Sequence, residues 1–377
     1  MHKELYQKLV AARRHMHKYP ELSGQETDTS DFLQEKVREA GPDQIINFNN
    51  CGFIALFNGG NSKSVMVRAD FDALPIQEVN HFEHKSHYEG ISHKCGHDGH
   101  SAILLGLAHK LKDEKPAGDV FLIFQPAEET GSGAVGMIND SKFHDIHPDY
   151  VVALHNLPGY PLHEVVSRPK TFTAAANSMI IKFFGKTAHA AQPEKGKNPA
   201  LAMARITERF QELSQPDLDR EDFRIATPIY TTMGEKSYGV SAGYGELHFT
   251  LRAWKNEIIE KFENDLEQEA RRISDDHDIE IKITWTEKFY SNQNDEDVYD
   301  AILKSAEDLD LKFQYRETPF RWGEDFGLFT EKFKGAMFGL GAGEDCPALH
   351  NPDYDFPDEL IKSGSEMFYK IIQNLQS

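Results

Sequence analysis

The segment Lys94-Cys95-Gly96-His97-Asp98-Gly99-His100 carries one thiol and two imidazoles within a short stretch. Cys95 and His97 are two positions apart, so an extended backbone would direct both side chains to the same side. Cysteine thiolate and neutral histidine both bind zinc and its neighbours in the first transition row. The apolar run 102–108 that follows predicts a buried helix, which places the motif where a loop enters a helix. The pair forms half of a metal site, and other segments must supply the remaining ligands.

Further candidate ligands follow predicted buried strands. Glu128 and Glu129 come after the apolar run 119–124, His155 after 150–154, and His350 after 336–340. Ligands of open α/β sheets bind beyond the carboxyl ends of the strands, so we expect these side chains to meet there. One glutamate could bind metal while its neighbour acts as a base. Each residue alone is more typical of a solvated acidic turn or a hydrogen-bonded loop histidine. Their positions at equivalent strand ends favour a shared site.

His189 belongs to a different part of the chain. It lies in Gly185-Lys186-Thr187-Ala188-His189-Ala190-Ala191, after a predicted strand and before a predicted helix. The sequence leaves open whether it reaches the active site from a second domain.

Composition excludes several classes of protein. The chain has 377 residues, a length typical of about two domains. Its net charge of −20 argues against nucleic acid or an anionic membrane as partner, since both require a basic surface. Three cysteines, Cys51, Cys95 and Cys346, provide no disulfide framework. No apolar run approaches the roughly 20 residues that span a bilayer, and no signal peptide follows Met1. We expect a soluble, cytoplasmic protein with reduced thiols.

The pattern of apolar residues in the N-terminal and C-terminal parts of the chain predicts a mixed α/β domain. Helices are expected at 4–18, 29–39 and 358–375, and strands at 53–57, 64–68, 119–124, 150–154 and 336–340. Gly59-Gly60 would form the turn between the first two strands. Alternation of helices with buried strands indicates a mostly parallel sheet flanked by helices.

The middle of the chain follows a different order. Strands are predicted at 179–184, 224–232, 246–254 and 279–285, with helices at 198–213 and 258–273. Strand–helix–strand–strand–helix–strand is the order of a ferredoxin-like α+β domain. We therefore predict a discontinuous metal-binding catalytic domain, 1–177 and 291–377, with a lid or dimerisation domain inserted at 178–290.

Several motifs together resemble a known family. CGHDGH, QPAEETGSGA, LHNLPG, GKTAHAAQP and LHNPDYDFPDE, with RRHMHKYPELSGQE and VRADFDALPI, are similar to motifs of the dinuclear metallopeptidase and aminoacylase family. The match is to its amidohydrolase branch, which includes hippurate hydrolases, plant auxin-conjugate hydrolases and N-acetyldiaminopimelate deacetylases. The likeness runs nearly end to end and in the same order.

The resemblance implies a role for each candidate residue. Two divalent metals, zinc, manganese or nickel, would be bound, and the Cys95 thiolate would bridge them. Glu128 would be the general base that takes a proton from the attacking water and passes it to the leaving amine. The metal ligands implied are Cys95, His97, Glu129, His155 and His350.

The resemblance also implies substrate contacts in the inserted domain. His189 would stabilise the oxyanion, and in related dimers this histidine comes from the other subunit. Arg252 matches an arginine that holds a substrate carboxylate. A homodimer or homotetramer through the lid domain is the implied assembly. The stretch 238–242 and Leu157-Pro158 depart from the family pattern, which bears on the substrate and leaves the metal chemistry unchanged.

Three functions remain open from the sequence. The first is a metal-dependent amidohydrolase that cleaves N-acyl amino acids or related amide conjugates, small-molecule substrates. The second is a dipeptidase or carboxypeptidase on the same scaffold. The third is a catalytically silent metal-binding scaffold, against which the intact Glu128 argues. A purely structural zinc site is disfavoured because its ligands would normally come in short paired spacings.

Overall fold

The computed structural model describes every residue from Met1 to Ser377. Its α-helices are α1 Lys3–Lys18, α2 Thr27–Glu39, α3 His97–Asp113, α4 Gly133–Ile138, α5 Ala200–Leu213, α6 Asn256–Asp276, α7 Glu296–Asp308, α8 Gly327–Lys332 and α9 Leu360–Leu375. Its strands are β1 Gln44–Asn47, β2 Phe53–Phe57, β3 Val65–Asp70, β4 Val120–Gln125, β5 Tyr150–Leu157, β6 Val165–Ser167, β7 Lys170–Thr173, β8 Ala175–Phe184, β9 Ala188–His189, β10 Arg224–Met233, β11 Val240–Ser241, β12 Tyr244–Ala253, β13 Glu280–Phe289, β14 Asn292–Asn294, β15 Phe313–Tyr315 and β16 Gly335–Gly341.

The chain divides into two compact units. The first consists of Met1–Phe172, Asn292–Glu317 and Glu324–Ser377, and the second of Thr173–Ser291 and Thr318–Gly323. No helix in either unit is long and apolar enough to cross a membrane.

An eight-stranded sheet, in the order β1-β2-β4-β3-β5-β16-β6-β15, organises the first unit. Its centre is parallel: β3 pairs in parallel with β4 and β5, and β5 with β16. The predicted mostly parallel sheet with flanking helices is thus confirmed. The carboxyl ends of the central strands consequently lie along one edge of the sheet, where the candidate site is found.

The expected turn between β2 and β3 does not join neighbouring strands. β4 lies between them, antiparallel to β2 and parallel to β3. β4 is almost wholly apolar, so its burial stabilises the fold most when the strand lies in the middle of the sheet. There, neighbouring strands cover both of its edges.

Helix α3 is the central helix of the first unit. Thirteen of its residues are buried, including the whole stretch from His97 to Ala108. A helix that is apolar around its circumference must be covered on all sides. Residues of α1, α9 and the sheet share one hydrophobic core with it. This packing fixes the start of α3, and therefore the position of His97.

The second unit is built on a four-stranded antiparallel sheet in the order β10-β12-β8-β13. Helices α5 and α6 contribute Phe210, Phe262 and Leu266 to a separate hydrophobic core on this sheet. The element order and strand order are those of a ferredoxin-like α+β domain.

Candidate metal centre

Two sets of possible metal ligands share one cysteine. The donor atoms of Cys95, His97 and His155 lie within 4.8 Å of one another, and so do those of Cys95, Glu129 and His350. Cys95 Sγ lies 3.5 Å from His155 Nε2, and Glu129 Oε1 lies 3.6 Å from His350 Nε2. The structure thus brings together the five residues proposed as ligands from four separate segments of the chain.

Cys95 and His97 converge through a turn rather than through an extended segment, so the extended geometry expected from their spacing is wrong. Gly96 between them has φ 95°, and His97 is the first residue of α3. A Cβ atom at Gly96 would lie 2.7 Å from Asn156 Oδ1. Only glycine combines this left-handed conformation with such a close approach at low cost.

His97 is oriented by a carboxylate that the sequence analysis did not single out. Its Nδ1 lies 3.0 Å from Asp72 Oδ1 and 3.1 Å from the Asp72 carbonyl oxygen. Both Asp72 oxygens accept, so Nδ1 of His97 carries the proton, and Nε2 lies on the opposite side of the ring. Nε2 is buried without a hydrogen-bond partner, 3.9 Å from Glu129 Oε1.

These atoms test whether a metal ion fits the site. Glu129 Oε1, like His97 Nε2, is buried and has no hydrogen-bond partner. Two such atoms facing each other would ordinarily be costly. A divalent cation bound by both would satisfy them, and the mixed sulfur, nitrogen and oxygen donors suit zinc and its neighbours. The residues therefore fit a metal centre.

His155 also presents a neutral nitrogen to this site. It lies inside β5, which extends three residues beyond the predicted end at 154. Its Nδ1 donates to the Asn156 carbonyl oxygen at 2.9 Å, which leaves the lone pair on Nε2 towards Cys95. Burial, and next the charge of His100, hold the pKa of His155 well below its usual value. A neutral imidazole of this kind is the form that binds metal.

Glu128 and Glu129 lie in the loop after β4, next to a strained residue. Ala127 has φ 52°, a left-handed conformation that costs roughly 1–2 kcal/mol for a residue with a Cβ atom. His350 also has a positive φ, 65°. Non-glycine residues in this region cluster at functional sites, where the surrounding contacts hold them.

The electrostatics of the site are dominated by carboxylates. Carboxylate oxygens of Glu128, Glu324 and Asp325 lie within 4.8 Å of one another. Burial raises the pKa of Glu128 well above its usual value, and the charges of Glu324 and Glu129 add to this effect. Arg68 compensates in part, through contacts of 3.0 Å with Glu324 and 2.7 Å with Asp325. The remaining negative charge favours bound cations.

The thiol and His97 respond to the same charges. Burial raises the pKa of Cys95 well above its usual value, and the charges of Glu129 and Glu128 add to the shift. Burial lowers the pKa of His97, but the charge of Asp70 and the hydrogen bond that His97 donates to Asp72 outweigh it and raise that pKa to about 10. Neighbouring anionic groups contribute to both shifts, and bound cations would oppose that contribution.

Several residues of the site received no individual role from the sequence, although the quoted motifs contain the first five of them: Glu26, Arg68, Asp70, Asp72, His100, Glu324 and Asp325. Asp70 ends β3 and Asp72 follows two residues later, at the same sheet edge as the glutamates. Their position after a buried strand was the available signal. His100 contacts Asp70 Oδ1 at 2.6 Å and Asn156 Oδ1 at 2.5 Å, so both of its nitrogens are engaged.

The two residues predicted to contact substrate belong to the second unit. His189 is exposed in β9, and its Nδ1 accepts a hydrogen bond from the Ala191 amide at 3.0 Å. In the neutral ring the proton therefore resides on Nε2, which is available as a donor. Arg252 lies in β12, and its Nη1 donates to the Arg321 carbonyl oxygen at 2.7 Å.

Comparison with known proteins identifies the family. The profile of peptidase family M20/M25/M40 matches residues 66–374. The chain belongs to this family. Membership of the M20/M25/M40 family makes the protein a hydrolase of amide bonds, as the sequence analysis predicted.

Curated M20/M25/M40 relatives align over nearly the whole chain. Hippurate hydrolase of Campylobacter jejuni is 29% identical over 362 residues, covering 95% of this chain and 94% of its own length. N-acetyldiaminopimelate deacetylase of Exiguobacterium sibiricum is 30% identical over 355 residues, covering 93% of this chain and 95% of its own length. N-acetyl-L-cysteine deacetylase of Bacillus subtilis is 29% identical over 376 residues, covering 98% and 89%.

Solved structures share the fold. A dinuclear metal-binding M20 peptidase of Bacillus subtilis, the YXEP protein, superimposes with a TM-score of 0.85 at 25% identity, covering 100% of this chain and 99% of its own. A putative aminohydrolase of Staphylococcus aureus has a TM-score of 0.89 at 23% identity, covering 99% and 97%. The second likeness concerns the fold alone.

Proposed function

We propose that this M20/M25/M40 protein hydrolyses the amide bond of N-acyl amino acids or related small amide conjugates. The observation that carries the proposal is the pair of ligand sets that share Cys95 beside the buried carboxyl group of Glu128. Relatives named for hippurate and for N-acetylated amino acids support this substrate class.

Two divalent metal ions fit the donor atoms of the site. The ligands would be Cys95, His97, Glu129, His155 and His350, and Cys95 belongs to both ligand sets. When bound, such ions supply a more acidic water molecule and a polarised carbonyl oxygen. Zinc, manganese and nickel are the candidates for this mixture of sulfur, nitrogen and oxygen donors.

Glu128 is the general base of the proposed reaction. Its carboxylate accepts the proton of the attacking water at one oxygen and returns it to the nitrogen of the leaving amine. A raised pKa suits both steps, because the group must first bind a proton and then release it. Asp325 holds the carboxylate through its backbone amide, which lies 3.3 Å from Glu128 Oε1.

His189 and Arg252 are the proposed substrate contacts. The Nε2 proton of His189 is available to stabilise the negative charge that develops on the carbonyl oxygen. The Arg252 guanidinium is not paired with a carboxylate and would bind the substrate carboxylate. In this proposal, residues 1–177 and 291–377 form the catalytic domain and residues 178–290 a lid domain.

The cellular setting and the assembly are also proposals. All three cysteines are free, which fits a reducing cytoplasm. We assign a homodimer or homotetramer through the lid domain, where Ile229 and Tyr230 on the edge strand β10 are exposed.

A hydrolysis screen tests the proposed function. The purified protein would be loaded separately with zinc, manganese or nickel and assayed on acetyl- and benzoyl-amino acids beside dipeptides. We expect amine release from N-acyl amino acids to exceed dipeptide cleavage, and Glu128→Gln to abolish most of it. Preferential cleavage of dipeptides would contradict the proposed substrate class while retaining the amidase chemistry.

A further inference from the structure

We propose that Glu26 is a positioning residue that holds Glu128 in place through the backbone of Ala127. This inference rests on the proposed function, in which Glu128 is the base. Glu26 lies in the N-terminal segment, about a hundred positions before Glu128, and has no part in the ligand sets.

The contact between the two segments is short and buried. Glu26 Oε1 accepts a hydrogen bond from the Ala127 amide at 2.7 Å, and the Glu26 side chain is fully buried. Ala127 immediately precedes Glu128 and has a positive φ. A backbone in this conformation persists only where surrounding contacts hold it, and the Glu26 hydrogen bond is such a contact.

A second carboxylate holds the other side of Glu128. Asp72 Oδ2 accepts a hydrogen bond from the Glu129 amide at 3.0 Å, and from the Ser23 hydroxyl at 2.7 Å. The amides on both sides of Glu128 are therefore bound by carboxylates from distant segments. Because Ser23 and Glu26 belong to the same short segment, this part of the chain supports the loop at two points.

The contact with the Ala127 amide uses one acceptor oxygen of the Glu26 carboxyl group. The second oxygen of Glu26, Oε2, is buried with no hydrogen-bond partner. Burial, followed by the charge of Asp72, raises the pKa of Glu26 to about 7. A protonated glutamate and a glutamine have side chains of the same length, and each offers an accepting carbonyl oxygen. Glutamine at position 26 should therefore preserve the hydrogen bond from the Ala127 amide.

The test compares three variants of the full-length protein. Glu26→Ala removes the acceptor, Glu26→Gln keeps it, and Glu21→Ala is the matched control. Glu21 belongs to the same segment and also accepts a backbone amide, from Thr29 at 2.7 Å, but it has no contact with the loop of Glu128. Each variant would be measured for metal content, for kcat and KM on an N-acetyl amino acid, and for hydrogen exchange.

We expect Glu26→Ala to lower kcat on the order of 10- to 100-fold, as is typical when a supporting residue of an active site is removed. Its KM and metal content should stay near those of the unmodified protein. In the metal-free protein, exchange should rise for a peptide spanning 126–133 and remain unchanged in helix α3. Glu26→Gln and Glu21→Ala should behave like the unmodified protein in every measurement.

Three outcomes would overturn the inference: a normal kcat in Glu26→Ala, an equal loss in Glu26→Gln, or unchanged exchange over 126–133. The exchange measurement needs no turnover, so it tests whether Glu26 holds the backbone of Ala127 even if Glu26→Ala is inactive for another reason. Failure of the proposed function would appear differently, as a fully active Glu128→Gln protein or as no amide hydrolysis by the unmodified protein.

Discussion

Asp72 Oδ1 lies 3.0 Å from Nδ1 of His97, and the Asp72 carbonyl oxygen lies 3.1 Å from the same nitrogen. This pair fixes the tautomer of the histidine and turns its Nε2 towards Glu129 Oε1, 3.9 Å away. The other oxygen of Asp72 holds the Glu129 amide. One buried carboxylate therefore orients two proposed metal ligands from different segments.

Asp72→Asn should weaken metal binding on the order of 10- to 100-fold, because an amide has one accepting oxygen where the carboxylate uses two. Metal affinity would be measured by titration of the metal-free protein. Asp43→Asn is the control, since Asp43 also accepts a backbone amide, from Asn58, in an exposed loop. Equal affinities in the two variants would mean that Asp72 does not orient the ligands.

Glu128→Gln should retain the fold and both metals but lose about 10²–10⁴-fold in kcat, because the amide cannot accept the proton of water. Its neighbour provides the contrast: Glu129→Gln should lose metal as well as activity. Metal analysis and steady-state kinetics of the two variants separate the roles. Near-normal turnover in metal-loaded Glu128→Gln would remove Glu128 as the base.

Cys95→Ala should lower the metal content below two ions per chain and slow turnover, because Cys95 is common to both ligand sets. Bound metal should also slow alkylation of the Cys95 thiol. Cys346→Ala is the matched control, a half-buried free cysteine outside both sets. Full occupancy by two metals in Cys95→Ala would contradict a shared thiolate.

His189→Ala should spare metal binding and reduce kcat on the order of 10²–10³-fold, the effect of removing one donor to an oxyanion. Mixing His189→Ala with Glu128→Gln subunits tests whether the histidine acts across a dimer. Recovery of activity is expected, since one mixed site would contain both intact groups. No recovery between subunits shown to exchange would place the histidine in its own chain or outside the reaction.

Arg13→Ala should destabilise the protein by about 3–5 kcal/mol, because it removes the buried guanidinium that lies 3.3 Å from the Asp98 carboxylate and leaves that buried carboxylate with the His17 imidazole as its remaining side-chain partner. Arg14→Ala should cost at most about 1 kcal/mol, since the Arg14 side chain is 47% exposed and its partner Asp358 keeps a second contact, with Arg13. Denaturant unfolding of both variants measures the difference. Similar decreases in the free energy of unfolding of the two variants would show that the Arg13 pair contributes no more to stability than the Arg14 pair.

Much of the site could be predicted from local pattern. Strands with apolar runs, such as β4 and β5, are recognisable because burial on both faces demands a continuous apolar sequence. Residues that follow such strands meet at one edge of a parallel sheet, which is why Glu129, His155 and His350 were found. The periodicity of β8, α5, β12 and α6 likewise predicted the second unit.

The supporting contacts depended on tertiary structure. Glu26 and Ala127 are about a hundred positions apart, and no local pattern indicates that a carboxylate will meet that amide. The sheet order that places β4 between β2 and β3 is also non-local. Sequence determined which residue types lie at the strand ends, because burial acts on each segment separately. Only the tertiary structure decided which residues contact these side chains, since a hydrogen bond between two distant segments depends on the positions of both segments.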